Sequence, residues 1–328
     1  MFLKSKHQPP PETALSDLIQ HGHFRRAAET ALTELRQCSP SDAVHVLQLL
    51  YTRLACLVLL SRPDIASQEA VPLTELLSRN PPGAKDLLPV IPWELRLLLV
   101  RLQTVGAVDG GRRGIMALYA LASEVRAHVR EAQDEHDQME RDLWSARLRD
   151  LGLRVADSLV EMGELETAGR HLATLTDVDV DDIAVRKALL RVRVGDVTGA
   201  RRSIQEVQSP QRKATLEALL KVADGDLSNA AEAWRQLAED DPEYASFAQN
   251  LAVCMLYTGH IAEARRVLED LAERLPAFPS LLLNLSTVYE LCTKRAMERK
   301  TGLIHKMADK RPAPDSGGWE PAKYEFKI

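Results

Sequence analysis

Apolar residues along this chain recur three and four positions apart and seldom alternate with polar ones. Leu15, Leu18 and Ile19 open the pattern. Such spacing gathers apolar side chains on one face of a helix. Helices are expected over Asp42–Leu60, Pro92–Leu102, Ile115–Asp134, Gln138–Met162 and, near the end, Arg295–Lys310.

A short phrase recurs on top of this periodicity: Gly, a polar residue, an apolar residue, two further residues, then Ala. It begins at Gly163, Gly195, Gly225 and Gly259 and ends at Ala168, Ala200, Ala230 and Ala264, with the glycines 32, 30 and 34 residues apart. The tetratricopeptide period is about 34. Gly suits the end of a first helix, where a left-handed backbone is cheap only without a Cβ. The apolar residue starts the second helix, and Ala marks the closest crossing of the two. A larger side chain there would force the helices apart, at about 1–3 kcal/mol. Bulky apolar positions follow, Trp234 and Leu237 in the third copy and Leu268 and Leu271 in the fourth. Pro242 and Pro276 then stop the second helices. Asn284-Leu285-Ser286 repeats Asn250-Leu251-Ala252 and opens a fifth unit, whose charged second helix suits a terminal cap facing water. Gly22 to Ala27 carries the same phrase near the start.

The expected fold is therefore all-α, a tetratricopeptide-repeat α-solenoid in which hairpins stack as a right-handed superhelix. Residues 1–60 read as N-terminal, repeat-like hairpins. Residues 61–114 read as an irregular Pro/Gly-rich region of short helices and loops, with Pro63, Pro72, Pro81, Pro82, Pro89 and Pro92 and the run Asp109 to Gly114. Residues 115–310 form the regular array with its capping helix, and 311–328 an extended or disordered tail.

Composition narrows the function. Hydrophobic residues make up 45% of the chain and aromatics 5%, and the net charge is −5. No basic footprint for nucleic acid is present. Cys38, Cys56, Cys254 and Cys292 are too scattered for a local zinc or redox pair and read as buried reduced thiols. The N-terminus lacks the apolar core of a secretory signal. Leu47 to Leu60 is interrupted by Gln48, Thr52 and Arg53, too broken to span a bilayer.

Candidate chemistry is sparse. The run Asp177 to Asp182 lacks the Gly and Glu that a calcium loop needs at its sixth and twelfth positions, so it reads as an inter-repeat loop leading into a helix. His21-Gly22-His23 has no third ligand, and Asp109 to Gly114 lacks phosphate-loop spacing and reads as a linker. Arg25-Arg26, Arg201-Arg202 and Arg265-Arg266 read as a solvated outer face rather than a lipid patch. No catalytic motif stands out; no enzyme, cofactor or metal is expected. What remains is the inner groove of the array. Counted from the phrase glycines, it takes Leu153, Asp157 and Val160, then Val185, Leu189 and Val192, then Leu219 and Val222, then Val253, Leu256 and Tyr257, and finally Leu283 and Leu291. Leu and Val at these positions disfavour a clamp for a terminal carboxylate and suit a partner helix. The other reading is that these side chains pack on neighbouring helices of the same chain. Trp319, Tyr324 and Phe326 in the tail suit docking into a partner or back onto the array.

Four strings, Val90–Arg96 (VIPWELR), Leu143–Leu148 (LWSARL), Ala252–Gly259 (AVCMLYTG) and Asn284–Leu291 (NLSTVYEL), give the chain a family likeness. It resembles the subunit-12 family of the TRAPP vesicle-tethering complex, in a short form without the long N-terminal extension of animal members. The resemblance implies a scaffold joining the large arm subunits. It implies only an indirect link to the Rab GTPase, which the small core subunits activate. It also implies a cytoplasmic location, peripheral at ER–Golgi and Golgi membranes, with membrane contact only through the complex. Its traffic would be early secretory and autophagic. A free adaptor for short peptide motifs is the alternative.

Overall fold

The computed structural model describes residues 7–79, 90–106, 109–275 and 278–310. Sixteen helices and no strand lie among them, so the architecture is all-α, an α-solenoid of helical hairpins. The chain divides into two compact units, residues 107–259 and residues 1–106 with 260–328.

The first of these units contains α6 (Gly110–Asp134), α7 (Gln138–Glu161), α8 (Leu165–Thr174), α9 (Val180–Val194), α10 (Val197–Gln205), α11 (Pro210–Ala223), α12 (Leu227–Asp240) and α13 (Ala245–Tyr257). Each helix packs on the next, and α9 also touches α11. The hairpin turns follow from the phrase. Gly163, Gly195, Gly225 and Gly259 all have φ between +81° and +85°. The residue after the glycine sends its N–H back five positions, Asp196 to Arg191 and Asp226 to Lys221, both at 2.9 Å. That bond satisfies a carbonyl the ending helix would otherwise orphan. The same aspartates then cap the second helix, Asp196 accepting from Gly199 N–H and Asp226 from Asn229 N–H. Ala168, Ala200 and Ala230 are fully buried at the crossings.

Glycine content misled in one place. Gly110 to Gly114, expected as a linker, form the first turn of α6. Gly110 and Gly114 are buried on one face, and a Cβ on Gly111 would meet Met162 Cγ at 2.7 Å. The run serves close helix packing rather than flexibility.

The second unit holds α1 (Leu15–Gln20), α2 (Phe24–Gln37), α3 (Ala43–Leu59), α4 (Pro63–Arg79), α5 (Trp93–Gln103), α14 (Ile261–Arg274), α15 (Pro279–Cys292) and α16 (Ala296–Asp309). Gly22 has φ +74° and repeats the hairpin turn between α1 and α2. Leu47, Leu54, Ala66, Ala70, Leu95 and Leu99 make the core of α3, α4 and α5. Where short helices were expected, α4 runs 17 residues with Pro72 inside it. Pro72 faces solvent, so water can serve the carbonyl that its missing N–H leaves unpaired. Pro81, Pro82, Pro89 and Pro276 lie outside the described residues. Arg53, which breaks the apolar run of α3, is a hub. It grips Glu69 with two bonds of 2.6 Å and donates to Ala28 O at 2.7 Å, tying α2, α3 and α4.

The terminal helix α16 is not simply a charged face. Leu303, Ile304 and Met307 are buried, and so is Lys300, which pairs with Glu290 at 2.5 Å. Lys310 donates to Ala272 O, and also to Glu273 O and Leu275 O at 2.9 and 2.8 Å, where α14 ends. A cation there meets the negative end of the helix dipole. Arg26 likewise departs from the solvated reading of its pair, donating to the carbonyls of Pro9, Pro10 and Pro11. Arg25, Arg201 and Arg265 are engaged with Glu29, Asp224 and Glu269, while Arg202 and Arg266 face solvent. All four cysteines are free, but only Cys56 and Cys254 are buried; Cys38 and Cys292 are partly exposed. Burial pushes the Cys56 thiol up to about 11, so it is no nucleophile at neutral pH.

Candidate partner-binding surface

The first helices of the hairpins, α7, α9, α11 and α13, carry the candidate groove. Their core faces are satisfied by residues such as Leu151, Ala184, Ala188, Leu216 and Leu251, all buried. The candidate residues occupy the other side. Leu153, Val160, Val185, Val192, Leu219, Val253 and Leu256 are half-buried. Leu189, Val222 and Tyr257 are 43%, 37% and 75% exposed. In the other unit, Leu283 on α15 is half-buried and Leu291 is 58% exposed. Cover at these positions is therefore uneven. Val185, Val192 and Leu219 brush the core formed by Ala188, Ala200, Ile204 and Leu216, while the three most exposed side chains leave apolar area in water.

Charged pairs hold successive first helices in register. Asp157 on α7 pairs with Arg186 on α9 at 3.4 Å, and Asp182 on α9 with Arg212 on α11 at 2.8 Å. Exposed pairs of this kind are worth about 0.2–1 kcal/mol each, so they align more than they stabilise. Asp181 does more. Its carboxylate accepts from Gln208 N–H at 2.5 Å and Ser209 N–H at 2.9 Å, at the start of α11. Those two bonds hold its pKa below the ordinary carboxylate value; burial opposes them and Arg212 adds to them. The acidic run is thus a fastener between repeats. Asp179 caps α9, Asp181 ties the next hairpin and Asp182 pairs across it. Sequence reasoning placed the run at a helix start but had no local signal for partners some 27 to 30 residues away.

The structure also opens cavities between helices of this unit. One, about 770 Å³, opens where α8 and the end of α9 diverge, beside Gly169, Leu190 and Val194. Another, about 450 Å³, lies among α6, α7, α8 and residues 175–178. Among the described residues, no group of three or more His, Cys, Asp or Glu side chains could hold a metal ion. His23 is buried and His21 Nδ1 lies 2.7 Å from Asp17 O. No described helix is long and apolar enough to cross a membrane. Trp319, Tyr324 and Phe326 lie outside the described residues.

Known proteins resemble the chain in sequence. A tetratricopeptide-repeat family model matches residues 221–285. Trafficking protein particle complex subunit 12 of Mus musculus is 25% identical over 306 residues, covering 82% of this chain and 38% of the relative. The Homo sapiens protein of the same name is 24% identical, covering 82% and 41%. The chain thus spans about two fifths of the length of these curated relatives. A tetratricopeptide-repeat protein from Parabacteroides merdae, known from a crystal structure, is 13% identical, covers 84% of this chain and 94% of its own, and superposes with a TM-score of 0.45.

Proposed function

We propose that this chain, a tetratricopeptide-repeat protein similar to trafficking protein particle complex subunit 12, is a non-catalytic scaffold subunit of a tether of that kind. It joins the large subunits in early secretory and autophagic membrane traffic, acts on a Rab GTPase only through the assembly, and works from the cytoplasmic side of ER–Golgi and Golgi membranes. Partner subunits bury apolar side chains that the repeats leave uncovered. One observation supports this most: Leu189, Val222 and Tyr257 stand exposed at intervals of 33 and 35 residues, on first helices whose core faces are already filled. Monomeric surfaces carry scattered apolar residues without purpose, but apolar residues left exposed on three successive first helices suit a continuous partner. The architecture supports the lack of catalysis, since tetratricopeptide arrays typically work by binding.

Affinity purification of the tagged chain from its native cytosol tests the reading. The eluate should contain other tether subunits in fixed ratio. A variant with Leu189→Ser and Tyr257→Ser should lose them while keeping its melting temperature. Elution alone, or with unrelated clients in variable amounts, would overturn the scaffold reading and leave that of a free adaptor for peptide motifs.

A further inference from the structure

The 450 Å³ cavity among α6, α7, α8 and residues 175–178 has an unusual charge for this chain. The protein as a whole carries 47 acidic and 42 basic residues. The cavity is lined by three arginines, Arg126, Arg141 and Arg149, and one carboxylate, Asp177. No described residue forms a hydrogen bond or ion pair with any of the three guanidinium groups. Several carboxylates on or beside the same helices are engaged elsewhere, while Asp177 in the lining makes no hydrogen bond or ion pair with a described residue. Asp137 caps α7 through Glu140 N–H, Asp142 accepts from Gln138, and Asp150 pairs with Arg154 at 2.7 Å rather than with its neighbour Arg149. Glu131 is engaged by His128. His171, the remaining basic group of the lining, donates its Nε2–H to Gly152 O at 2.9 Å, so it is anchored to the wall.

We infer that this cavity binds an extended acidic segment of a partner protein, with an apolar side chain set among its carboxylates. Three features choose that ligand. Arg141 and Arg149 are eight residues apart on one helix face, about 12 Å along the axis. Arg126 comes from the antiparallel neighbour α6, opposite the stretch between them. Charges spread along a line suit several carboxylates in a row, whereas a single phosphate calls for donors that converge. The walls between the arginines carry the apolar side chains Val129, Leu148, Leu175 and Val178 beside the polar Gln133, Ser145 and Thr174. Guanidinium groups bind carboxylates bidentately, and arginine clusters are a recurring way to read acidic motifs. The volume suits two or three side chains rather than a folded domain. This site is separate from the apolar first-helix positions, so either can fail alone.

The probe is a fluorescein-labelled decapeptide of Asp and Glu with one central Leu, titrated into the full chain and followed by anisotropy. Saturable binding is expected, weaker with rising salt and weakened again when the Leu becomes Ser. The triple variant R126Q/R141Q/R149Q should bind about tenfold more weakly or worse, a loss of about 1.4 kcal/mol. R112Q/R113Q, at the exposed start of α6 outside the cavity, should bind like the unaltered chain. Hydrogen exchange on the unaltered chain is independent of any folding defect in the variants, and peptide should slow it over α6, α7 and residues 175–178. No saturable binding overturns the inference. So does an equal loss in both variants, protection confined to other helices, or binding of phosphatidylserine vesicles in place of the peptide.

Discussion

The hairpins that begin their second helices after Gly195 and Gly225 share a turn and differ in what closes them. Both have Gly at φ above +80° followed by a capping Asp, and both bury an Ala completely at the crossing. Beyond that point they part. The helix after Gly225 runs 14 residues and sinks Trp234, only 1% exposed, against Phe247 with ring centroids 6.0 Å apart. The helix after Gly195 runs nine residues, with Ile204 at the position of Trp234. Polar ties replace the missing length. Arg191 donates to Gly199 O at 2.8 Å and Ser203 Oγ at 2.7 Å, and Asp181 holds Gln208 and Ser209 just past the helix end. One repeat frame can thus be closed by an apolar knob or by buried hydrogen bonds. The knob tolerates loose geometry, while the polar closure fails sharply when one partner is lost.

The largest effect is expected at the knob. Trp234→Ala removes a fully buried indole and leaves a cavity, which typically costs about 3–5 kcal/mol. Stability in repeat arrays is partly local, so hydrogen exchange is the suitable measure. Protection should fall over α11, α12 and α13 and persist over α9 and α10. Uniform loss across the unit would mean that the two hairpins are not closed independently.

An intermediate effect is expected at the polar closure. Arg191→Leu strips two charge-assisted bonds and leaves Ser203 Oγ buried without its donor, at a cost of about 1–3 kcal/mol. The equivalent position four residues before Gly225 is Lys221, whose ammonium makes no hydrogen bond or ion pair with a described residue. Lys221→Leu should therefore leave the melting temperature nearly unchanged. In a Ser203→Ala background the cost of Arg191→Leu should shrink, because the stranded hydroxyl is gone. Additive losses in that double-mutant cycle would sink the clamp.

The contrast also marks what could be read from the chain alone. The turns and crossings were legible because their demands are local: a left-handed residue needs Gly, and a close crossing needs Ala. Trp234, Leu237 and Leu268 followed from helical spacing counted onward from those marks. The polar closure did not follow, since Asp181 and Gln208 are 27 residues apart and nothing near either one names its partner. Composition pointed the wrong way at Gly110 to Gly114, where glycines that resemble a linker allow α6 to pack closely. The apolar first-helix positions were legible as a register. Their degree of cover depends on how far neighbouring hairpins overlap, which no single repeat encodes. The arginine-lined cavity was invisible, because its three charges come from two helices and stand out only once several nearby carboxylates are seen to be engaged.

The smallest effect is expected from acid, and its direction identifies the Asp181 fastener. The amides of Gln208 and Ser209 hold this carboxyl below its ordinary pKa of 3.8. A depressed carboxylate binds protons more readily in the unfolded chain than in the folded one. The stability it supplies is therefore complete above the ordinary value and drains away as pH falls through the lower, folded value. The amides of Gln208 and Ser209 should stay protected from exchange at neutral pH and lose protection selectively below about pH 3.8. Asp181→Asn keeps one acceptor oxygen but removes the charge. It should weaken protection of the same two amides at neutral pH and flatten their response to acid, with Trp234 and its hairpin unaffected. If the variant kept both the protection and the acid response, the start of α11 would be held by Pro210 and the Ser209 cap alone, and the short hairpin would need no tie to its neighbour.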